Sequence, residues 1–242
     1  MDAGSGSAEL TIVGFGACMI AGYPHETEGL FEVACRQIEK RLSRPVRSTV
    51  ASLGGFPAPR AAKYLKRKAL DSKPDYVVIQ LASTDAQCPV RSENRSTSSM
   101  PGRKADLSHH RRPATPISRL RWELASLVGH LRKIDPITPL PLYVAAMERI
   151  VKDCEDAGAI PVVLSPFVYG SRYTMKVATS YTNALRELSK GQNVILVDCV
   201  QALESVPRRL VLQHDGFHLS PIGHRLVGQA IAQSIVASVA NN

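Results

Sequence analysis

Residues 215–224 read Asp215-Gly216-Phe217-His218-Leu219-Ser220-Pro221-Ile222-Gly223-His224. Pro221 suits a first helical turn, because the N–H it lacks is one that a helix leaves unpaired there. Ser220 before it fits an N-cap. A helix is therefore expected from Pro221 to about Val239. Just ahead of it Asp215 and His218 stand three residues apart, a spacing at which a carboxylate can orient an imidazole acting as a base.

Outward from this block, five short apolar runs read as strands: Leu10 to Phe15, Val46 to Leu53, Tyr76 to Leu81, Ile160 to Leu164 and Val194 to Val197. They are rich in Val and Ile and mostly continuous rather than alternating, as expected of strands buried on both faces of a parallel sheet. Helical patterns fall between them. Glu28 to Leu42 sets Leu30, Val33, Ala34, Ile38 and Leu42 near a 3.6 period, and Pro59 to Leu70 reads as a second helix. Leu142 to Ala157 and Met175 to Lys190 follow. Strands alternating with helices predict a doubly wound α/β sheet.

The exception runs from Pro89 to about Pro141. Its first half is polar and rich in Ser, Arg and breakers, and a helix is expected from Ile117 to Ile134. A connection this long is usually a lid or an inserted polar segment. Ten Lys/Arg stand against Glu93, Asp106 and Glu123 between Arg91 and Lys133, so +7 of the chain's formal +9 lies there. The segment holds a single aromatic, Trp122, and so lacks the stacking platforms of single-strand binders; nucleic acid is not the expected partner. No internal repeat or second set of strands is visible, which predicts one domain over residues 1–242 with a basic polar insertion at about 89–141.

In open α/β sheets ligands bind beyond the carboxyl ends of the strands. Those ends carry Gly16-Ala17-Cys18 after the first strand, Leu53-Gly54-Gly55 after the second and Ala82-Ser83-Thr84-Asp85 after the third; Asp215 to Leu219 precedes the last helix. Cys18 in a glycine-flanked turn is expected at the sheet edge, where a starting helix would favour its thiolate. An imidazole nearby would complete the nucleophile and base of acyl transfer.

The 215–224 block strongly resembles the last block of SGNH (GDSL-like) hydrolases, D-x-x-H-L followed by a polar residue, Pro and x-G-H. Gly16 to Gly22 resembles their first block, G-D-S-x-x-x-G, with Ala17 for Asp and Cys18 for the nucleophilic Ser. Ala51 to Gly55 resembles the second block, and Gln80 to Asp85 the third, G-x-N-D, with Ala82 for Gly and Thr84 for Asn. The resemblance implies a three-layer α/β/α, flavodoxin-like fold with a five-stranded parallel sheet, acting on ester bonds as an esterase or acyltransferase. It implies Cys18 as nucleophile, His218 as base and Asp215 as its orienter. The oxyanion hole would comprise the N–H groups of Cys18 and Gly55, with Gly54 as the neighbouring possibility, and the Thr84 side chain. A small-molecule or carbohydrate ester would be the substrate, with no cofactor and no metal.

The same departures keep a second reading open, a catalytically inactive relative that binds a ligand or partner in the same cleft. Loss of an oxyanion donor costs on the order of 3 kcal/mol, and Thr reaches less far than Asn. Asp85 is expected to pin its loop and His224 to be structural. Tyr23 and Phe217 either line the site or pack beside it, and His109 and His110 are expected to be solvated. The five cysteines contain no C-x-x-C pair, which excludes the usual zinc and redox signatures. No apolar run approaches the ~18 residues of a membrane span. The N-terminal stretch has no basic n-region or apolar h-region, so a cytoplasmic location is expected.

Overall fold

The structure, a computed structural model, describes residues 9–23, 28–88 and 113–241. Five parallel strands form one sheet in the order β2-β1-β3-β4-β5: β1 (Leu10–Gly16), β2 (Val46–Ser52), β3 (Tyr76–Gln80), β4 (Ile160–Leu164) and β5 (Ile195–Val197). The alternating outward direction of strand side chains divides the core in two. Leu10, Ile12, Tyr76, Val78, Val162 and Leu164 face the layer holding α1 (Leu30–Leu42), α8 (Cys199–Leu203), α9 (Arg208–Val211) and α10 (Pro221–Asn241). Val13, Phe15, Val77, Ile79 and Val163 face the layer holding α2 (Ala58–Ala61), α6 (Leu140–Asp156) and α7 (Arg172–Ser189). The fold is therefore the expected three-layer α/β/α sandwich with a flavodoxin-like strand order.

Two local expectations need correction. β2 is not buried on both faces: among the described residues it is an edge strand paired with β1 alone, and Arg47, Ser48, Thr49 and Val50 are exposed. Its charge and polar residues are those that keep an edge from pairing further. The helix expected over Pro59–Leu70 is broken into α2, a 3₁₀ turn, α3 (Leu65–Lys68) and another 3₁₀ turn. Lys63, Lys66, Arg67 and Lys68 set like charges three and four residues apart, which disfavours a continuous helix. The helix expected from Ile117 is present as α5 (Pro116–Arg132), capped by Thr115, whose side chain accepts from the Ser118 N–H. The polar first half of the proposed insertion, with His109 and His110, lies outside the described residues.

α1 and α10 are tied where Leu30 N–H donates to His224 Nδ1 at 3.2 Å, so His224 is structural, as expected. The strand ends meet most closely at Gly16. A Cβ there would lie 2.2 Å from the Gln80 carbonyl oxygen on the neighbouring strand, backbone that a side-chain rotation cannot relieve. Gly16→Ala is expected to cost about 3 kcal/mol, measured as a lower denaturant midpoint. Gly55→Ala, whose Cβ would meet nothing within 4 Å, should leave that midpoint nearly unchanged.

Candidate active site

The carboxyl ends of the first three strands are bound to one another by backbone hydrogen bonds. Ala17 N–H donates to Gln80 O at 2.9 Å and Leu53 N–H to Gly16 O at 2.8 Å. Cys18 follows directly and begins a 3₁₀ turn, Cys18–Ala21, with Ala17 extended before it. As the first residue of that turn its N–H has no partner among the described residues. All five thiols are free, and Cys18 alone is not buried. Burial pushes the Cys35 and Cys154 thiols up to about 12, and that of Cys88 up to about 11. Burial also raises Cys199. Cys35, Cys154 and Cys199 pack within the two halves of the core, and Cys88 is buried beside α4 (Ala82–Asp85).

Asp215 and His218 come from the loop before α10. Asp215 Oδ1 accepts the N–H groups of Phe217 at 2.9 Å and His218 at 3.0 Å, a local turn typical of aspartate. This leaves Oδ2 to face His218 Nδ1 at 2.6 Å. The opposite ring nitrogen, Nε2, lies 3.7 Å from Cys18 Sγ, across 200 residues of sequence. Burial would lower the His218 imidazole, but the hydrogen bonds and charges of Asp215 and Cys18 override it and raise the ring to about 9. Burial would likewise raise Asp215, yet the His218 ring and the two N–H donors hold it at about 2. The favoured state near neutral pH is therefore a carboxylate holding an imidazolium that faces sulfur.

Aromatic rings enclose the imidazole: Tyr23 and Phe217 each centre 4.9 Å from His218. The loop is fixed from behind by Trp122 of α5, whose indole N–H donates to His214 O at 3.1 Å. Gly216 sits at φ 70 with its Cβ position 2.5 Å from Trp122 Nε1, so a side chain there would meet both strain and the indole. Gly170 N–H donates to Gly216 O at 2.8 Å, joining this loop to the one after β4.

The remaining expected site residues are placed less directly. Gly55 is exposed in the turn after β2, and the left-handed residue of that turn is Gly54, at φ 61. Thr84 is buried in α4 (Ala82–Asp85), and its hydroxyl has no partner among the described residues. Asp85 does pin a loop: both its oxygens accept Ala58 N–H at 3.0 Å, and burial raises its carboxyl to about 6. Two supporting residues escaped the sequence reading. Ser83 Oγ accepts Phe167 N–H while its carbonyl accepts the Tyr169 hydroxyl. Trp122 was legible only as the lone aromatic of a basic segment, although Ser118, Ser126 and Gly129 beside it mark a helix face built for close approach. No group of three metal-ligating side chains occurs among the described residues, nor is any helix of theirs long and apolar enough to cross a membrane.

A thiol, an imidazole and a carboxylate in hydrogen-bonded series can carry out nucleophilic acyl transfer. Residues 15–226 match the model of the GDSL-like Lipase/Acylhydrolase family. No curated protein matches the chain in sequence. Among solved structures, the chain is similar to a lipase/acylhydrolase from Enterococcus faecalis, with a TM-score of 0.66 and 19% identity over 95% of this chain and 96% of that one. It is also similar to an acetyl-xylooligosaccharide esterase from Geobacillus stearothermophilus, with a TM-score of 0.66 and 13% identity over 93% and 94% of the two chains. The psychrotrophic esterase EstA from Pseudoalteromonas sp. gives a TM-score of 0.62 and 16% identity over 96% and 99%.

Proposed function

The chain belongs to the GDSL-like lipase/acylhydrolase family, and on that premise we propose that it cleaves esters through a thiol, with Cys18 as nucleophile, His218 as proton carrier and Asp215 as its orienter. The observation that carries this reading is the series Cys18 Sγ, His218 Nε2, His218 Nδ1, Asp215 Oδ2, at 3.7 Å and 2.6 Å. An imidazole raised to about 9 suits a thiol better than a hydroxyl. It faces the sulfur as a proton donor, ready for the leaving alkoxide, whereas a serine would need the ring neutral before attack.

The thiolate attacks the ester carbonyl, a C–S bond forms and the carbonyl π pair moves onto oxygen. The N–H of Cys18, the N–H of Gly55 and the Thr84 hydroxyl are the candidate donors to that oxyanion. Collapse expels the alkoxide, which takes the proton from His218 Nε2 and leaves as the alcohol. Water, or another hydroxyl, then attacks the thioester while His218 takes its proton, and the thiolate leaves. Tyr23 and Phe217, against the imidazole, are candidate walls for the acyl group. A carbohydrate or other small ester is the substrate class that fits a family acting on esters.

The test is alkylation. Iodoacetamide at mildly acidic pH should modify Cys18 before the four buried cysteines, and hydrolysis of p-nitrophenyl acetate should fall in step with that modification. His218→Ala should slow the labelling at least tenfold. Equal labelling of Cys18 in the two proteins, or full hydrolysis by protein alkylated at Cys18, would refute the assignment.

A further inference from the structure

The face of the molecule behind the Asp215 loop is not explained by ester cleavage. α5 buries one side through Ser118, Trp122, Ser126 and Gly129, and presents the other to solvent. That outer side carries Ile117, Leu120, Leu124, Leu127 and Leu131, each 53–75 % exposed. Their spacing of 3, 4, 3, 4 puts them on one stripe of a 3.6-residue helix. Soluble chains scatter single exposed leucines, but a continuous apolar stripe marks a surface that something covers. On the helix, Arg121 and Arg132 follow one edge of the stripe and Arg119 the other.

Beside this stripe lies a cavity of about 440 Å³, lined by Arg119, Arg172, Arg208, Arg209, Trp122 and Glu123, with Gly170 and Pro207. Four arginines thus line it beside one carboxylate, and that carboxylate, Glu123, is already paired with Arg172 at 3.4 Å. Leu210, next to the last two arginines, is exposed as well. Forked guanidiniums recognise the oxygens of phosphate, and an apolar stripe beside them suits the chains below a headgroup. A second copy of this chain would bring the same cations against these, and the stripe spans barely two heptads.

We propose that this face docks onto an anionic lipid surface, with the arginine-lined cavity taking phosphate headgroups and the α5 stripe entering the headgroup–acyl boundary. It goes beyond the ester chemistry and needs none of it: Cys18→Ala protein should dock as well as the parent. Docking would hold the loop carrying Asp215 and His218 close to the lipid, since Trp122 joins the two.

The test uses the full chain and vesicles of phosphatidylcholine with and without phosphatidylglycerol, read by co-sedimentation and by the fluorescence of Trp122, the single tryptophan. Binding should require phosphatidylglycerol and weaken as salt rises. Leu124→Glu/Leu127→Glu and Arg208→Ala/Arg209→Ala should each weaken it at least ~10-fold; all four side chains are exposed, so the fold does not depend on them. No binding to either vesicle would overturn the proposal. So would a Trp122 response to inorganic phosphate alone, unchanged by the leucine substitutions, without vesicle binding, which would mark a site for free anions. A dimer that the leucine substitutions dissociate, again without vesicle binding, would assign the stripe to a second copy instead.

Discussion

His218→Ala is expected to lower hydrolysis of p-nitrophenyl acetate by about a thousandfold, with protein stability and the buried cysteines unaffected enough to purify it folded. A positioned acid–base group contributes roughly 10²–10⁴ in rate, and this one serves both half-reactions. Asp215→Asn should lose somewhat less, about a hundredfold, because the ring is also held by Tyr23 and Phe217. The asparagine variant removes the charge that, with its hydrogen bond and Cys18, outweighs burial and lifts the imidazole to about 9. Its pH profile should therefore shift to lower pH. The sign follows from the ring's two duties. In the acylated protein the sulfur carries no charge, but Asp215 still favours the protonated ring, which cannot take a proton from water. At pH 7 the acyl form should accumulate, giving a burst followed by slow turnover, and the slow phase should quicken as pH rises toward 9. A parent protein with no burst and a flat profile between pH 6 and 9 would contradict this. Below neutrality Asp215, held at about 2, stays ionised, so it contributes no acid limb in that range.

Cys18→Ala should abolish the burst, and Cys18→Ser should retain about a hundredth of the parent rate at pH 7. Serine cannot rest as an anion opposite an imidazolium, so it needs the neutral ring, and Asp215 opposes that. Its residual rate should climb with pH. A serine variant faster than the parent at pH 7 would mean a site shaped for a hydroxyl that sulfur obstructs, and would return the account to a cleft that binds rather than reacts. Hydrolysis persisting undiminished in Cys18→Ala would remove Cys18 from the chemistry altogether.

The sheet was legible because continuous Val/Ile runs such as Tyr76 to Leu81 leave little choice but a strand buried on both faces. β2 broke that rule, since an edge position lets Arg47 and Ser48 stay in a strand without burial. Pro59–Leu70 does not form one helix, because Lys63, Lys66, Arg67 and Lys68 place like charges along a single continuous turn pattern. Cys18, His218 and Asp215 are legible as candidates because each stands in a block resembling the family's, and the structure brings the three into one series beyond the carboxyl end of β1. Gly55 and Thr84 are legible only through the blocks that resemble the family's, because a donor's reach to an oxyanion depends on where its loop lies in space rather than on spacing along the chain. Trp122 escaped because its partner, the His214 carbonyl, is 92 residues away and is backbone, which no side-chain pattern reveals.

Between the two half-reactions the acyl group is expected to rest on Cys18. The direct measurement is mass spectrometry of protein quenched in acid within the burst with p-nitrophenyl acetate, followed by peptide mapping. One acetyl group is expected on the peptide containing Cys18, removed by hydroxylamine and absent in His218→Ala at the same time point. Turnover of the ester with no acyl group on Cys18, or with the acyl group on another side chain, would contradict it.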